Sequence, residues 1–219
     1  MDTLALFDLD GTLLDTLEDL GEATNVALRT HGFKEHPIEA YKTYVGNGVY
    51  KLIERALPPK EQQEATILKV KDTFDTYYAL HSQDKTKPYP GILDLLRKLK
   101  EKGIVCAVIT NKPQNYAQEL VGEMFGELIT CTYGQRPGIP TKPDPTSVLN
   151  CMKALGFSRE HCLYMGDSNV DMETAQRAGI MGIGVLWGFR TKEELVEAGA
   201  KGLAATPEAL ERMILSTIS

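Results

Sequence analysis

Leu4-Ala5-Leu6-Phe7-Asp8-Leu9-Asp10-Gly11-Thr12 is the stretch on which the reading of this chain turns. Four apolar residues run into two acids, two positions apart, and then into a Gly-Thr pair. A short apolar run stopped in this way predicts a buried strand that ends in a turn. Runs of the same kind recur at 104–109, ending at Thr110-Asn111, and at 128–133, ending at Gly134. Others lie at 162–165, ending at Gly166-Asp167, at 182–186, and more briefly at 203–205. Between them the apolar residues change to helical spacing. Ile92, Leu95, Leu96 and Leu99 precede Gly103, and Ala117, Leu120, Val121 and Met124 follow Lys112-Pro113. Val148, Leu149, Met152 and Leu155 precede Gly156, and Met172, Ala175 and Ala178 precede Gly179. Apolar strands alternating with amphipathic helices predict an α/β fold, a doubly wound, Rossmann-like parallel sheet with helices on both faces.

One interval breaks the rhythm. Asp8 and Ile104 are separated by 95 residues, whereas a βαβ unit needs only about 30. The surplus holds Leu13, Leu17, Leu20 and Ala27, then Ile67, Val70, Phe74, Tyr77 and Tyr78, at helical spacing with no strand-like run. It predicts a small inserted helical cap over 16–84, with the core formed by 1–15 and 85–219. Lys85-Thr86-Lys87-Pro88-Tyr89-Pro90 is the returning linker.

Composition narrows the function. The chain has 219 residues, 42% hydrophobic and 25% charged, which suits one or two globular units and excludes global disorder. A net charge of −6 without a Lys/Arg cluster argues against nucleic acid and anionic membranes as partners. No apolar run approaches the ~20 residues of a membrane span, and Met1-Asp2-Thr3-Leu4 has no basic lead-in of a signal peptide. A cytoplasmic chain is expected, as a monomer or homodimer. Cys106, Cys131, Cys151 and Cys162 match no zinc or redox spacing and read as reduced thiols; the four His are scattered.

In an open α/β sheet, ligands bind beyond the carboxyl ends of the strands. Those ends here carry Asp8 and Asp10, Thr110 and Asn111, and Asp167 to Asp171, while Lys142-Pro143 opens a nearby helix. Two close carboxylates repel, so keeping both ionised calls for a cation or a shared proton. An all-oxygen donor set without His or Cys selects Mg2+ over zinc. With Lys142 and hydrogen-bond donors at Thr110, Asn111 and Leu9, the cluster suits a phosphate, and a carboxylate nucleophile there would form an aspartyl-phosphate.

Asp8-Leu9-Asp10-Gly11-Thr12-Leu13, Thr110-Asn111, Lys142-Pro143 and Gly166-Asp167-Ser168-Asn169-Val170-Asp171 resemble, in order, the four motifs of the haloacid dehalogenase superfamily. Leu13-Leu14-Asp15-Thr16, Val45-Gly46-Asn47-Gly48 and Ile139-Pro140-Thr141-Lys142-Pro143-Asp144-Pro145 resemble its phosphoglycolate phosphatase-like subgroup; Thr16 stands where that subgroup often has Ser. The resemblance implies Asp8 as nucleophile, Asp10 as general acid/base, Thr110 and Lys142 on the phosphate, and Mg2+ held by Asp8, Asp10, Asp167 and Asp171. The second Asp marks a phosphatase rather than a dehalogenase. It further implies hydrolysis of a small phosphorylated metabolite, 2-phosphoglycolate first, with sugar phosphates, nucleotides and pyrophosphate open.

The cap is less constrained. Gly46-Asn47-Gly48 offers backbone N–H groups to a substrate carboxylate or simply starts a helix, and Arg55 supplies positive charge to substrate or a solvated face. Other readings remain. A phosphosugar mutase would share every core residue. A receiver module would carry a phosphorylated Asp but no such insert. A silent binding protein would not need both Asp8 and Asp10.

Overall fold

β1 (Leu4–Phe7) is buried at all its positions, as a strand must be when both faces of its sheet are covered. The structure, a computed structural model, describes residues 3–217. After β1 come β2 (Leu14–Asp15), α1 (Leu17–Thr30), α2 (Tyr41–Tyr44), α3 (Val49–Ala56) and α4 (Glu64–His81). β3 (Lys87–Pro88), α5 (Ile92–Glu101), β4 (Val105–Pro113), α6 (Gln114–Met124) and β5 (Cys131–Gln135) follow. The chain ends with α7 (Thr146–Leu155), β6 (Cys162–Gly166), α8 (Asn169–Ala178), β7 (Met181–Val185), α9 (Lys192–Glu197), β8 (Gly202–Ala204) and α10 (Pro207–Thr217).

Six strands form one sheet in the order β5-β4-β1-β6-β7-β8, and every pairing in it is parallel. From β1 the chain winds outward to β4 and β5, then returns to the other side of β1 with β6. The switch point therefore lies between β1 and β6, and there the open-sheet rule places a ligand. β1 sorts its residues by face. Ala5 and Phe7 join the core under α5, α6 and α10, with Leu96, Leu120 and Leu210. Leu4 and Leu6 join the opposite core under α7 and α8, with Val148, Met152 and Ala175.

The helices from α1 to α4 have a core of their own, including Leu20, Leu28, Tyr41, Ile53, Ile67, Phe74 and Tyr78. The two segments joining them to the sheet pair with each other: β2 and β3 make an antiparallel ribbon, Leu14 opposite Pro88 and Asp15 opposite Lys87. Beside it, the buried Asp19 carboxylate accepts from the N–H groups of Lys85, at 3.0 Å, and Thr86, at 2.8 Å. The entering helix and the returning linker are thus tied at one point.

Two strands depart from the sequence expectation. The run at 128–133 is displaced: residues 126–128 form a one-turn 3-10 helix and the strand covers Cys131–Gln135. Leu128 packs against the core from outside the ladder, so its apolarity marks packing rather than strand. β4 continues beyond Ile109 to Pro113, with an irregularity in its pairing between those residues. That extension buries Thr110, Asn111 and Lys112 in succession.

Candidate active site

Asp8 follows β1 directly, and its carboxylate is fixed by nearby groups. Its Oδ1 accepts from the Leu9 N–H at 2.7 Å and lies 2.9 Å from Lys142 Nζ. Gly11, two residues after the Leu9 turn, has φ of +85°, and a Cβ there would collide with the Asp167 carboxylate. Only glycine allows the turn to pass so close. Thr12 Oγ1 donates to Asp167 Oδ1 at 3.1 Å, and the Phe189 N–H donates to Asp167 Oδ2 at 2.7 Å.

Asp171 comes from the first turn of α8, where Ser168 and Asp171 cap each other. Its Oδ2 accepts from Ser168 Oγ at 2.6 Å, and its Oδ1 accepts from Lys142 Nζ at 2.7 Å. Lys142 Nζ also donates to the Tyr164 hydroxyl at 3.0 Å, and that hydroxyl donates to the Ile109 carbonyl at 3.0 Å. Both oxygens of Asp171 are thereby engaged in orienting the lysine and the helix start.

The electrostatics follow from burial. Burial, then Asp171, pushes the Asp8 pKa well above the ordinary carboxylate range, with Lys142 opposing. The same two causes raise Asp167 to about 7. Burial works against the charge of Lys142, but Asp171 and Asp8 outweigh it and hold the lysine more firmly protonated than usual. One oxygen from each of Asp8, Asp167 and Asp171 lies within 4.8 Å of the others. Lys142 pairs with Asp8 and Asp171 only, so three buried carboxylates beside one ammonium leave an excess of negative charge. Oxygen donors alone at this spacing, two of them (Asp8 and Asp167) with raised pKa values, fit a hard divalent cation such as Mg2+.

Thr110 Oγ1 accepts from the Lys112 N–H at 3.2 Å, so its own proton is free to donate elsewhere. Asn111 is a connector. Its Nδ2 donates to the Gly46 and Lys142 carbonyls, each at 3.0 Å, and its Oδ1 accepts from the Lys142 N–H at 2.8 Å. Asp8, Asp10, Thr110, Asn111, Gly46 and Gly48 border one cleft between sheet and helical insert, of about 500 Å³ counted to its open mouth. Lys142, Asp167 and Asp171 gather behind Asp8 at the floor of this site, whereas two of the predicted residues stand away from it. Arg55 donates to the Tyr44 carbonyl at 2.8 Å and to Asn47 Oδ1 at 2.7 Å, and neither Arg55 nor Asn47 borders the cleft.

The roles of Lys112 and Tyr164 escape the sequence reading, whereas Trp187 and Arg190 belong to a stretch after the run at 182–186 that it reads as pocket floor or packing. Lys112 Nζ donates to Asp10 Oδ1 at 3.0 Å and to the Tyr78 hydroxyl at 2.7 Å. Trp187 Nε1 donates to the Thr12 carbonyl at 2.9 Å, and Arg190 donates to the Lys42 and Val45 carbonyls. The only sequence signal for Lys112 was its place immediately after Thr110-Asn111; for Tyr164, it was a hydroxyl inside a buried strand.

The fold is that of the haloacid dehalogenase-like hydrolases, and the chain belongs to that family, whose model matches residues 5–185. Phosphoglycolate phosphatase 1 of Pseudomonas aeruginosa is 33% identical over 203 residues, covering 89% of this chain and 73% of that one. A phosphoglycolate phosphatase of Haemophilus influenzae is 33% identical over 204 residues, covering 88% and 89%. A crystal structure of a candidate phosphoglycolate phosphatase from Lactobacillus delbrueckii subsp. bulgaricus superposes with a TM-score of 0.93 at 36% identity, covering 97% and 98%. Within the family, then, the chain is a phosphatase of the phosphoglycolate phosphatase-like subgroup. Among the described residues no helix is long and apolar enough to cross a membrane.

Proposed function

We propose that the protein is a Mg2+-dependent phosphomonoester hydrolase that works through an aspartyl-phosphate on Asp8. The observation carrying this reading is the position of the Asp8 carboxylate. It stands at the switch point of the sheet, beside Lys142 and within 4.8 Å of Asp167 and Asp171.

Asp8 attacks phosphorus as the ester bond breaks, and Asp10 protonates the departing alkoxide. Asp10 then takes a proton from the water that attacks phosphorus, releasing phosphate and regenerating the carboxylate. Lys142, held by Asp171, neutralises charge on the phosphoryl oxygens, and the Thr110 hydroxyl donates to them. Mg2+ would be held by Asp8, Asp167 and the Asp10 carbonyl, with Asp171 close by, and would supply further charge neutralisation for the transferring group. Gly46 and Gly48 form the insert's side of the cleft, while Arg55 acts indirectly by steadying Asn47. The insert, taken as residues 16–84, serves as a cap that admits substrate and excludes bulk water.

The names of the relatives make 2-phosphoglycolate the first substrate to assay. A phosphate-release screen across small phosphorylated metabolites with Mg2+ tests the reading. Release from at least one of them, lost in Asp8→Asn, is expected. Isomerisation of a hexose 1-phosphate without free phosphate would replace it with a mutase.

A further inference from the structure

We infer that Lys112 selects the leaving group by holding an anionic substituent, such as a carboxylate, next to the carbon that bears the scissile oxygen. The inference rests on the phosphatase reading above and names the substrate chemistry of that same site.

Lys112 is the sole cation among the described residues bordering the cleft. Other basic groups nearby are engaged elsewhere: Arg55 on the Tyr44 carbonyl and Asn47, Arg190 on the Lys42 and Val45 carbonyls, and Lys142 between Asp8 and Asp171. The insert's side of the cleft is otherwise mostly apolar, with Leu20, Val45, Val49 and Leu52 facing Tyr116. In such a wall a carboxylate on the leaving group has one charged partner, Lys112. Without that partner its desolvation would go unrepaid.

Geometry places the ammonium where that partner is needed. The Lys112 side chain is only 3% exposed, and its Nζ lies 3.0 Å from Asp10 Oδ1. Asp10 is the group proposed to protonate the leaving oxygen, so Nζ stands within reach of the substituent one bond further on. An ammonium has three protons to donate. Asp10 and the Tyr78 hydroxyl take two, and the third remains for substrate. Nζ also lies 4.9 Å from the centre of the Tyr78 ring. Tyr78 belongs to α4 of the insert, so the cation is fully held only when the insert is seated on the sheet.

The test compares two esters with the same two-carbon leaving group, charged in 2-phosphoglycolate and neutral in 2-hydroxyethyl phosphate, with the full chain and Mg2+. Loss of a charge-assisted hydrogen bond corresponds to about tenfold to a hundredfold in kcat/KM. Wild type is therefore expected to prefer the carboxylate ester by at least about tenfold. In Lys112→Met that preference should fall toward unity, chiefly through KM for the carboxylate ester, and Lys112→Arg should restore part of it. A wild-type ratio near unity overturns the inference. So does a Lys112→Met ratio equal to that of wild type, since equal losses would mean that the lysine only steadies Asp10. If Lys112→Met does not fold, inhibition of wild type by glycolate and by ethylene glycol decides. Glycolate acting at concentrations at least about tenfold lower supports the inference, and equal inhibition overturns it. Failure to hydrolyse either ester, or any other phosphomonoester, removes the phosphatase reading and this inference with it. Hydrolysis of both without discrimination removes the inference alone.

Discussion

The Lys142 ammonium lies 2.7 Å from the Asp171 carboxylate, and the two side chains are 3% and 0% exposed. A pair so enclosed is held together because neither charge has water to return to. Removing one partner strands the other, which typically costs about 3–5 kcal/mol. Lys142→Met is therefore expected to lower stability by that order in denaturant titration, and to abolish phosphate release. A variant as stable as wild type would show that Asp171 finds another partner or takes up a proton.

Asp8→Asn separates chemistry from stability. The amide is nearly isosteric and not nucleophilic, so turnover should disappear while the fold persists. The Asp8 pKa is raised in the folded chain by burial and by Asp171. Its contribution to stability is thus full below the unfolded carboxylate pKa and is lost as pH rises through the folded value. In chelator at pH 8 the variant should melt higher than wild type, by about 2–4 °C for each kcal/mol relieved. Residual activity within tenfold of wild type would refute a covalent route.

Asp10→Asn should slow hydrolysis by roughly 10² to 10⁴, the usual share of general acid–base assistance. The loss should be larger for an alkyl phosphate than for an aryl phosphate, whose leaving group needs less help. Equal losses on both esters would argue that Asp10 acts on some other step.

Mg2+ should raise the melting temperature, and more so at pH 8 than at pH 5. Asp167 has a folded pKa of about 7, raised by burial and by Asp171. In the chelated protein it therefore lowers stability as pH climbs from about 4 to about 7. Cation binding needs the ionised carboxylate and offsets that loss. A Mg2+ increment independent of pH would mean that Asp167 is not a ligand.

Much of this was legible in the sequence because strand ends announce themselves. The run into Asp8-Leu9-Asp10-Gly11 and the run into Gly166-Asp167 locate two neighbouring strands, and parallel pairing brings their ends together. Lys112 was not legible. It sits where an apolar run was expected to have stopped, and its partner Tyr78 lies 34 residues away in the insert; only the seating of insert on sheet relates them. Arg55 was legible only as a charge. A basic residue on an amphipathic helix suggests a free charge, yet the carbonyl of Tyr44 at the end of α2 needs a donor, and Arg55 supplies it. Leu128 shows that apolarity alone does not separate a strand from a packed turn.

During turnover the Asp8 carboxylate is expected to become an acyl phosphate. Acid-quenching the enzyme with substrate and Mg2+, then mapping its peptides by mass spectrometry, tests this most directly. A phosphoryl increment is expected on the peptide bearing Asp8, absent from Asp8→Asn and accumulating in Asp10→Asn, where its hydrolysis is slowed. Steady turnover with no phosphorylated peptide, or with the increment on a different residue, would contradict the account.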